Sequence, residues 1–215
     1  MYNIARFEKI ETGYQLITRE VLTYQDIETG TILNKWYNPF IKDTVEVFHV
    51  WNDPVNSKSN TKGFSLPVMK LSGDRLCFYI DVPLFYPSPL KKIEWPQNSR
   101  SDMYQAAELF QFFVSEKDIQ NPKLKSVPFD IAWNRFSDFL PWMNMAESPG
   151  YLMYSSRGSK LQKGWNELPK NIKDFVVRTK PEYQHAPISY ETPNMTSWKY
   201  FKMVMEDRKK KSSKQ

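Results

Sequence analysis

The chain of 215 residues holds one cysteine, two histidines and seven glycines. With Cys77 alone, an internal disulfide and a metal site built on paired cysteines are both excluded. Cys77 lies in the apolar run Leu76-Cys77-Phe78-Tyr79-Ile80 and reads as a small core residue rather than a nucleophile. His49 and His185 are far apart in sequence and form no His-x-x-x-His pair, so no metal centre and no cofactor is expected. The glycines occur singly, which leaves no Gly-rich phosphate loop and no Gly-x-Ser-x-Gly elbow. No apolar run approaches the roughly 20 residues of a membrane span. The opening Met1-Tyr2-Asn3-Ile4-Ala5-Arg6 has neither the charged nor the apolar region of an export leader. The expectation is a soluble protein of unknown compartment, cytoplasmic as the chain stands and exported if a leader has been removed.

Aromatic residues are abundant, with 7 Trp, 12 Tyr and 14 Phe. They suit pleated, half-buried surfaces better than helices. The 15 prolines imply many loops, while 40% apolar residues supply a core. A single domain of this length buries about 70% of its unfolded surface. The formal charge of +6 is misleading as a guide to partners. Residues 208–215 carry five cations and no anion, so residues 1–207 hold a net +1. A nucleic-acid binder would place its basic residues on a folded face. We therefore expect one β-rich domain over 1–207, a basic flexible tail over 208–215, and no nucleic-acid partner.

Strands are expected at 2–8 and 14–25, then at 31–37 as the hairpin partner of 14–25 across Asp26-Ile27-Glu28-Thr29-Gly30. Further strands are expected at 44–51, 64–71, 75–82, 104–114, 127–136 and 150–157. The stretch Pro83–Pro96 holds four prolines and reads as irregular, a lid or a covering loop that brings Phe85, Tyr86 and Trp95 over a pocket mouth or a sheet edge. Ser115 and Thr196 read as helix N-caps. Residues 169–178 and 196 to about 209 have helical spacing. Many strands with short turns, followed by helices, point to a mainly β fold: an antiparallel, lipocalin-like β-barrel or a two-sheet sandwich, with C-terminal helices.

Several runs carry a resemblance. They include Ile4-Ala5-Arg6-Phe7, Thr18-Arg19-Glu20-Val21, Asp26 to Gly30, Trp36-Tyr37-Asn38-Pro39 and Val45 to Asn56. Later ones are Asp81 to Pro87, Leu140-Pro141-Trp142-Met143, Pro149 to Leu152, His185-Ala186-Pro187 and Pro193 to Trp198. Together the chain resembles the bacterial family catalogued as domain of unknown function 1838, over nearly its whole length. Asn52-Asp53-Pro54-Val55-Asn56 is the most specific part. The resemblance implies no reaction, cofactor or catalytic residue; relatives often carry an export leader.

Alternation along strands selects polar groups among apolar neighbours. His49 shares a face with Val45, Val47 and Trp51; Glu108 with Tyr104, Ala106, Phe110 and Phe112; Arg135 with Phe129, Ile131 and Trp133. An unpaired buried charge is costly, so these groups need partners. If the sheet closes, they meet inside it. His49 and Glu108 are then candidate acid and base, and Arg135 an anchor for a carboxylate or a developing oxyanion. Trp51, Asp53, Asn56, Asp81, Tyr86, Tyr104 and Trp133 are the candidate ligand-binding residues. The structural alternatives are a plain Glu108–Arg135 ion pair, a hydrogen-bonded core histidine, and turn-shaping roles for Asp53 and Asn56. Three functions stay open. One is a cofactor-independent isomerase, cyclase or lyase acting on an apolar or aromatic acid. The others are a non-catalytic carrier of such a molecule and a protein-interaction module. A homodimer is compatible with each.

Overall fold

The computed structural model describes residues 1–60 and 66–213. Strands β1 (Tyr2–Ile10) and β2 (Gly13–Leu22) form an antiparallel hairpin in full register, Tyr2 opposite Val21 and Ile10 opposite Gly13. The other side of β2 is covered end to end by two short strands. β5 (Val50–Asn52) pairs with Glu20–Leu22, and β6 (Ser57–Asn60) pairs with Gly13–Leu16. Between them stands Asp53-Pro54-Val55-Asn56. Both faces of β2 carry buried residues, Ile17 and Val21 on one and Thr18 on the other.

The expected hairpin of 14–25 with 31–37 forms only at its tip, where Asp26 N donates to Thr31 O and Leu33 N to Tyr24 O. Gln25 and Ile32 share one isolated bridge across the turn, where Gly30 takes φ +68°. Residues 35–38 pair instead with the next segment, as β3 (Lys35–Asn38) with β4 (Asp43–Glu46). The expected strand 44–51 is likewise broken, because residues 47–49 leave extended pairing between β4 and β5.

The larger sheet runs in the order β11 (Leu152–Ser159), β10 (Asp130–Ser137), β9 (Met103–Ser115), β8 (Arg75–Pro87), β7 (Val68–Lys70), with every pair antiparallel. The strand expected at 64–71 begins at residues 64–65, outside the described residues. β8 continues through Pro83 to Pro87, against the expectation of irregular structure. β7 covers only Leu76–Phe78, so the rest of β8 is a sheet edge, where a proline costs no ladder bond. Leu90 and Trp95 turn into the core, whereas Phe85 faces solvent.

Helices α1 (Glu116–Gln120), α2 (Lys170–Thr179) and α3 (Ser197–Ser212) complete the fold. Ser115 Oγ accepts from Asp118 N at 3.1 Å, and Thr196 Oγ1 accepts from Lys199 N at 3.2 Å. Both are the local bonds that begin helices at these residue types. α3 passes through the basic segment to Ser212. No helix is long and apolar enough to cross a membrane among the described residues.

Two buried clusters hold these layers together. One joins Val45, Val47, Leu90, Trp95, Tyr104, Leu140 and Trp142 to Trp198 and Phe201 of α3. The other joins Val21 and Trp51 to Phe175 and Val176 of α2 and to Tyr183. The protein is thus mainly antiparallel β with C-terminal helices. No ladder closes the sheets into a barrel among the described residues, and the separate sheets are consistent with a sandwich-like arrangement.

Candidate functional site

Register in the larger sheet decides which side chains share a face, since directly opposed residues point the same way. One row crosses four strands: Val82, Glu108, Arg135 and Tyr154. On one side of it lie Leu84, Ala106, Ser137 and Leu152, then Tyr86 and Tyr104, next to the core under α3. On the other side lie Ile80, Phe110, Trp133 and Ser156, then Phe78, Phe112 and Ile131. Of this second group Trp133 is buried, while Phe78, Ile80, Phe110, Phe112 and Ile131 stay half-buried. The polar row therefore stands where tight core gives way to a partly open aromatic face.

Arg135 Nη1 lies 3.2 Å from Glu108 Oε1, and Arg135 Nη2 donates to the Tyr104 hydroxyl. Burial alone would lower the Arg135 pKa, but Tyr104, Glu108 and Tyr154 beside it hold it above its ordinary value. The Tyr104 ring packs on Tyr86 at 4.8 Å and edge-on against Trp198 at 4.7 Å. Burial raises the Tyr104 phenol well above the usual tyrosine range and raises Tyr86 as well, with Arg135 opposing in both. Tyr154, its ring tilted against Trp133 at 5.6 Å, shares a 3.3 Å hydrogen bond with the Tyr24 hydroxyl.

The smaller sheet adds the member that our sequence reading missed. Glu20 of β2 points from the face opposite Ile17 and Val21 toward Glu108 and Arg135. Its Oε2 accepts from Asn52 Nδ2 at 3.2 Å, and its Oε1 accepts from Asn3 Nδ2 at 3.5 Å. Burial raises its pKa; the Asn52 bond and Arg135 oppose this, and Glu108 adds to it. Two buried polar atoms of this cluster, Arg135 Nε and Asn52 Oδ1, have no hydrogen-bond partner among the described residues.

Other expected residues fall elsewhere. His49 Nδ1 accepts from Tyr24 N at 3.2 Å, and its ring packs on Tyr24 and Phe175 rather than on the ion pair. Burial pushes its pKa down to about 4, with the Leu33 backbone in part opposing. Trp51 turns toward α2, 5.7 Å from Phe175, because β5 sets Asn52 and not Trp51 on the face of Glu20. Asp81 is exposed, since alternation puts Val82 beside Glu108 and turns Asp81 outward.

Asp53 and Asn56 work at long range. Asp53 Oδ2 lies 2.7 Å from Arg19 Nε, and Arg19 Nη1 donates to the carbonyls of Glu182 and His185. Asn56 Oδ1 accepts from Thr18 N, its Nδ2 donates to the Glu191 carbonyl, and its backbone exchanges two bonds with the Asn194 side chain. These residues pin the segment 182–194 to β2. No group of three or more His, Cys, Asp or Glu is arranged to hold a metal ion among the described residues.

The sequence signal for Glu20 is slight: a carboxylate in an extended run, within the motif Thr18-Arg19-Glu20-Val21.

No curated protein and no solved structure matches the chain. A family model described as "Protein of unknown function (DUF1838)" matches residues 2–205. The chain belongs to that family, and Asn52 to Asn56, which joins Glu20 to the C-terminal segment, lies inside the matched region.

Proposed function

We propose that Glu20, Glu108, Arg135 and Tyr104 form an acid–base site for a small, largely apolar molecule, with no cofactor taking part in the proton transfer. The observation that carries this reading is the approach of two carboxyl groups from different sheets: Glu108 in an ion pair with Arg135, and Glu20, bonded to Asn52, near enough to respond to both charges. Glu108 is held by Arg135, while Glu20 has its pKa raised by burial and by Glu108. A carboxyl group whose proton affinity is raised by burial is a usual candidate for an acid–base role. Glu20 exchanges the proton, and Arg135 stabilises charge that develops on the ligand oxygen. Asn52 serves both states of Glu20: its amide nitrogen donates to the carboxylate, and rotated it presents Oδ1 to the acid. The half-buried Phe78, Ile80, Phe110 and Phe112 supply apolar contact beside the polar row. Isomerisation, cyclisation or elimination each need such a proton transfer.

A reaction-blind assay tests this. Wild type is incubated in D₂O with a panel of aliphatic and aromatic ketones, aldehydes and acids, and deuterium entry next to the carbonyl is followed by proton NMR. Exchange is expected on at least one compound, with a loss of about 100-fold or more in Glu20→Gln, the size of a general-base contribution. Exchange that survives intact in Glu20→Gln removes the acid–base reading. Binding without exchange on any compound leaves a carrier.

A further inference from the structure

We propose that the molecule taken by this site is uncharged, with an aromatic or polyunsaturated body and a head of one carbonyl or hydroxyl oxygen, and that it is not a carboxylic acid. This rests on the acid–base reading above and sets aside the expectation that Arg135 anchors an acid. A carboxylate is bound best by the guanidinium fork, two parallel N–H groups to two oxygens. In this structure each terminal nitrogen of that fork already has a partner. Nη1 faces Glu108 at 3.2 Å, and Nη2 donates to Tyr104. Nε, a further N–H, is buried and without a partner among the described residues. A single neutral oxygen is enough to satisfy it. The second unpartnered atom, Asn52 Oδ1, is an acceptor and suits a hydroxyl or an enol O–H.

The charge balance points the same way. Around Arg135 stand Glu108 and Glu20, together with the phenols of Tyr24, Tyr86, Tyr104 and Tyr154. Glu108 already neutralises the guanidinium. An entering anion would meet one cation that is spent and a second carboxyl group whose ionised form repels it. Charges a few ångströms apart near a protein surface interact by several kcal/mol, enough to set selectivity. A neutral head meets no such opposition. The body of the ligand is set by the adjoining rows. Phe110 and Phe112 stand with ring planes 4° apart, Trp133 lies 6.4 Å from Phe110, and Ile80, Phe78 and Ile131 flank them. That surface is aromatic and carries no formal charge.

Two fluorescent probes with one ring skeleton separate the possibilities: N-phenylnaphthylamine, which is neutral, and anilinonaphthalene sulfonate, which adds an anion. Each is titrated into the full chain. The neutral probe is expected to bind, and the sulfonate to bind about tenfold or more weakly. Glu20→Gln is expected to narrow that gap by several fold. Phe112→Ser, with Ile80→Ser as a second wall variant should the first fail to fold, is expected to weaken the neutral probe several fold. If the sulfonate binds as well as the neutral probe, or the gap is unmoved in Glu20→Gln, the ligand class is overturned while the site stands. Neutral binding that is indifferent to the folded wall variants also overturns it, because the probe then sits elsewhere. If neither probe binds, the failure lies with the site itself, since no apolar molecule reaches it.

Discussion

Two single residues give this protein opposite responses to pH. Glu20 has a raised pKa, so the fold favours its protonated form. Its favourable contribution is complete below the ordinary carboxyl value of 4.5 and is lost as pH rises through the folded value. His49 is lowered from 6.5 to about 4. The fold therefore favours neutral imidazole, and that stability, present above pH 6.5, is lost as pH falls toward 4. A shift of this size corresponds to roughly 3 kcal/mol. Melting curves across this range should show Glu20→Gln more stable than wild type at neutral pH, with the difference closing below pH 4.5. His49→Gln should lack the wild-type decline between pH 6.5 and 4. Parallel curves for all three proteins would contradict both assignments. At this scale the sequence made Glu108 and Arg135 legible, because each interrupts an apolar face and the strands that carry them are long and regular. Glu20 and Asn52 were not selected, because their neighbours become meaningful only when two sheets face each other. His49 keeps the buried alternation of Val45, Val47 and Trp51, but that buried side meets Tyr24 and Phe175 and not the ion pair, a choice of neighbour that alternation does not carry.

Among the elements, the junction between β5 and β6 has the most to hold. One strand would have covered β2 completely. Instead the pairing is interrupted at residues 53–56, and the freed side chains reach the C-terminal segment. Asn56, 6% exposed, satisfies the buried Thr18 N–H and the Glu191 carbonyl at once. Asn56→Ala should cost about 2–3 kcal/mol, the penalty of leaving a buried donor unsatisfied. It should also speed limited proteolysis within 185–194, while Asn194→Ala, which removes the reciprocal pair, should reproduce the proteolysis effect. Urea midpoints and cleavage rates measure the two, and an unchanged cleavage rate would show that the segment is held by something else. Local chemistry made the strands β1 and β2 and the capped starts of α1 and α3 readable. Partner choice was less so. β3 pairs with β4 rather than β2, and β8 runs through its prolines, because both outcomes depend on which neighbour occupies an edge. Proline counts against a central strand and says little about an edge.

For the molecule as a whole, the sequence gives no direct view of how the sheets are closed, since closure depends on edges that meet far apart in the chain. Helix α3 performs the covering that hydrogen bonds do not. Trp198 and Phe201 are buried in the larger cluster, and Trp198 meets Tyr104, so the helix also braces the phenol that holds Arg135. Full burial of each such ring is worth about 2–3 kcal/mol. The basic end contributes differently. Arg208 makes two bonds to Glu46, at 2.7 and 2.8 Å, on the surface. Beyond it, Lys209 lies 4.5 Å from the Trp95 ring, an exposed cation–π contact worth about 0.5–1 kcal/mol. Two truncations separate the parts. A chain ending at Arg208 should melt within a few degrees of the full chain, because it keeps both aromatic anchors and the Glu46 pair. A chain ending at Met195 should lose cooperative unfolding, because Leu90, Trp95, Tyr104 and Leu140 are left without their cover. Trp198→Ala, which keeps the helix, should lie between them, with a loss of about 3–5 kcal/mol in urea unfolding. If the chain ending at Met195 unfolds as sharply and as late as the chain ending at Arg208, the core closes without α3 and Tyr104 needs no brace from it.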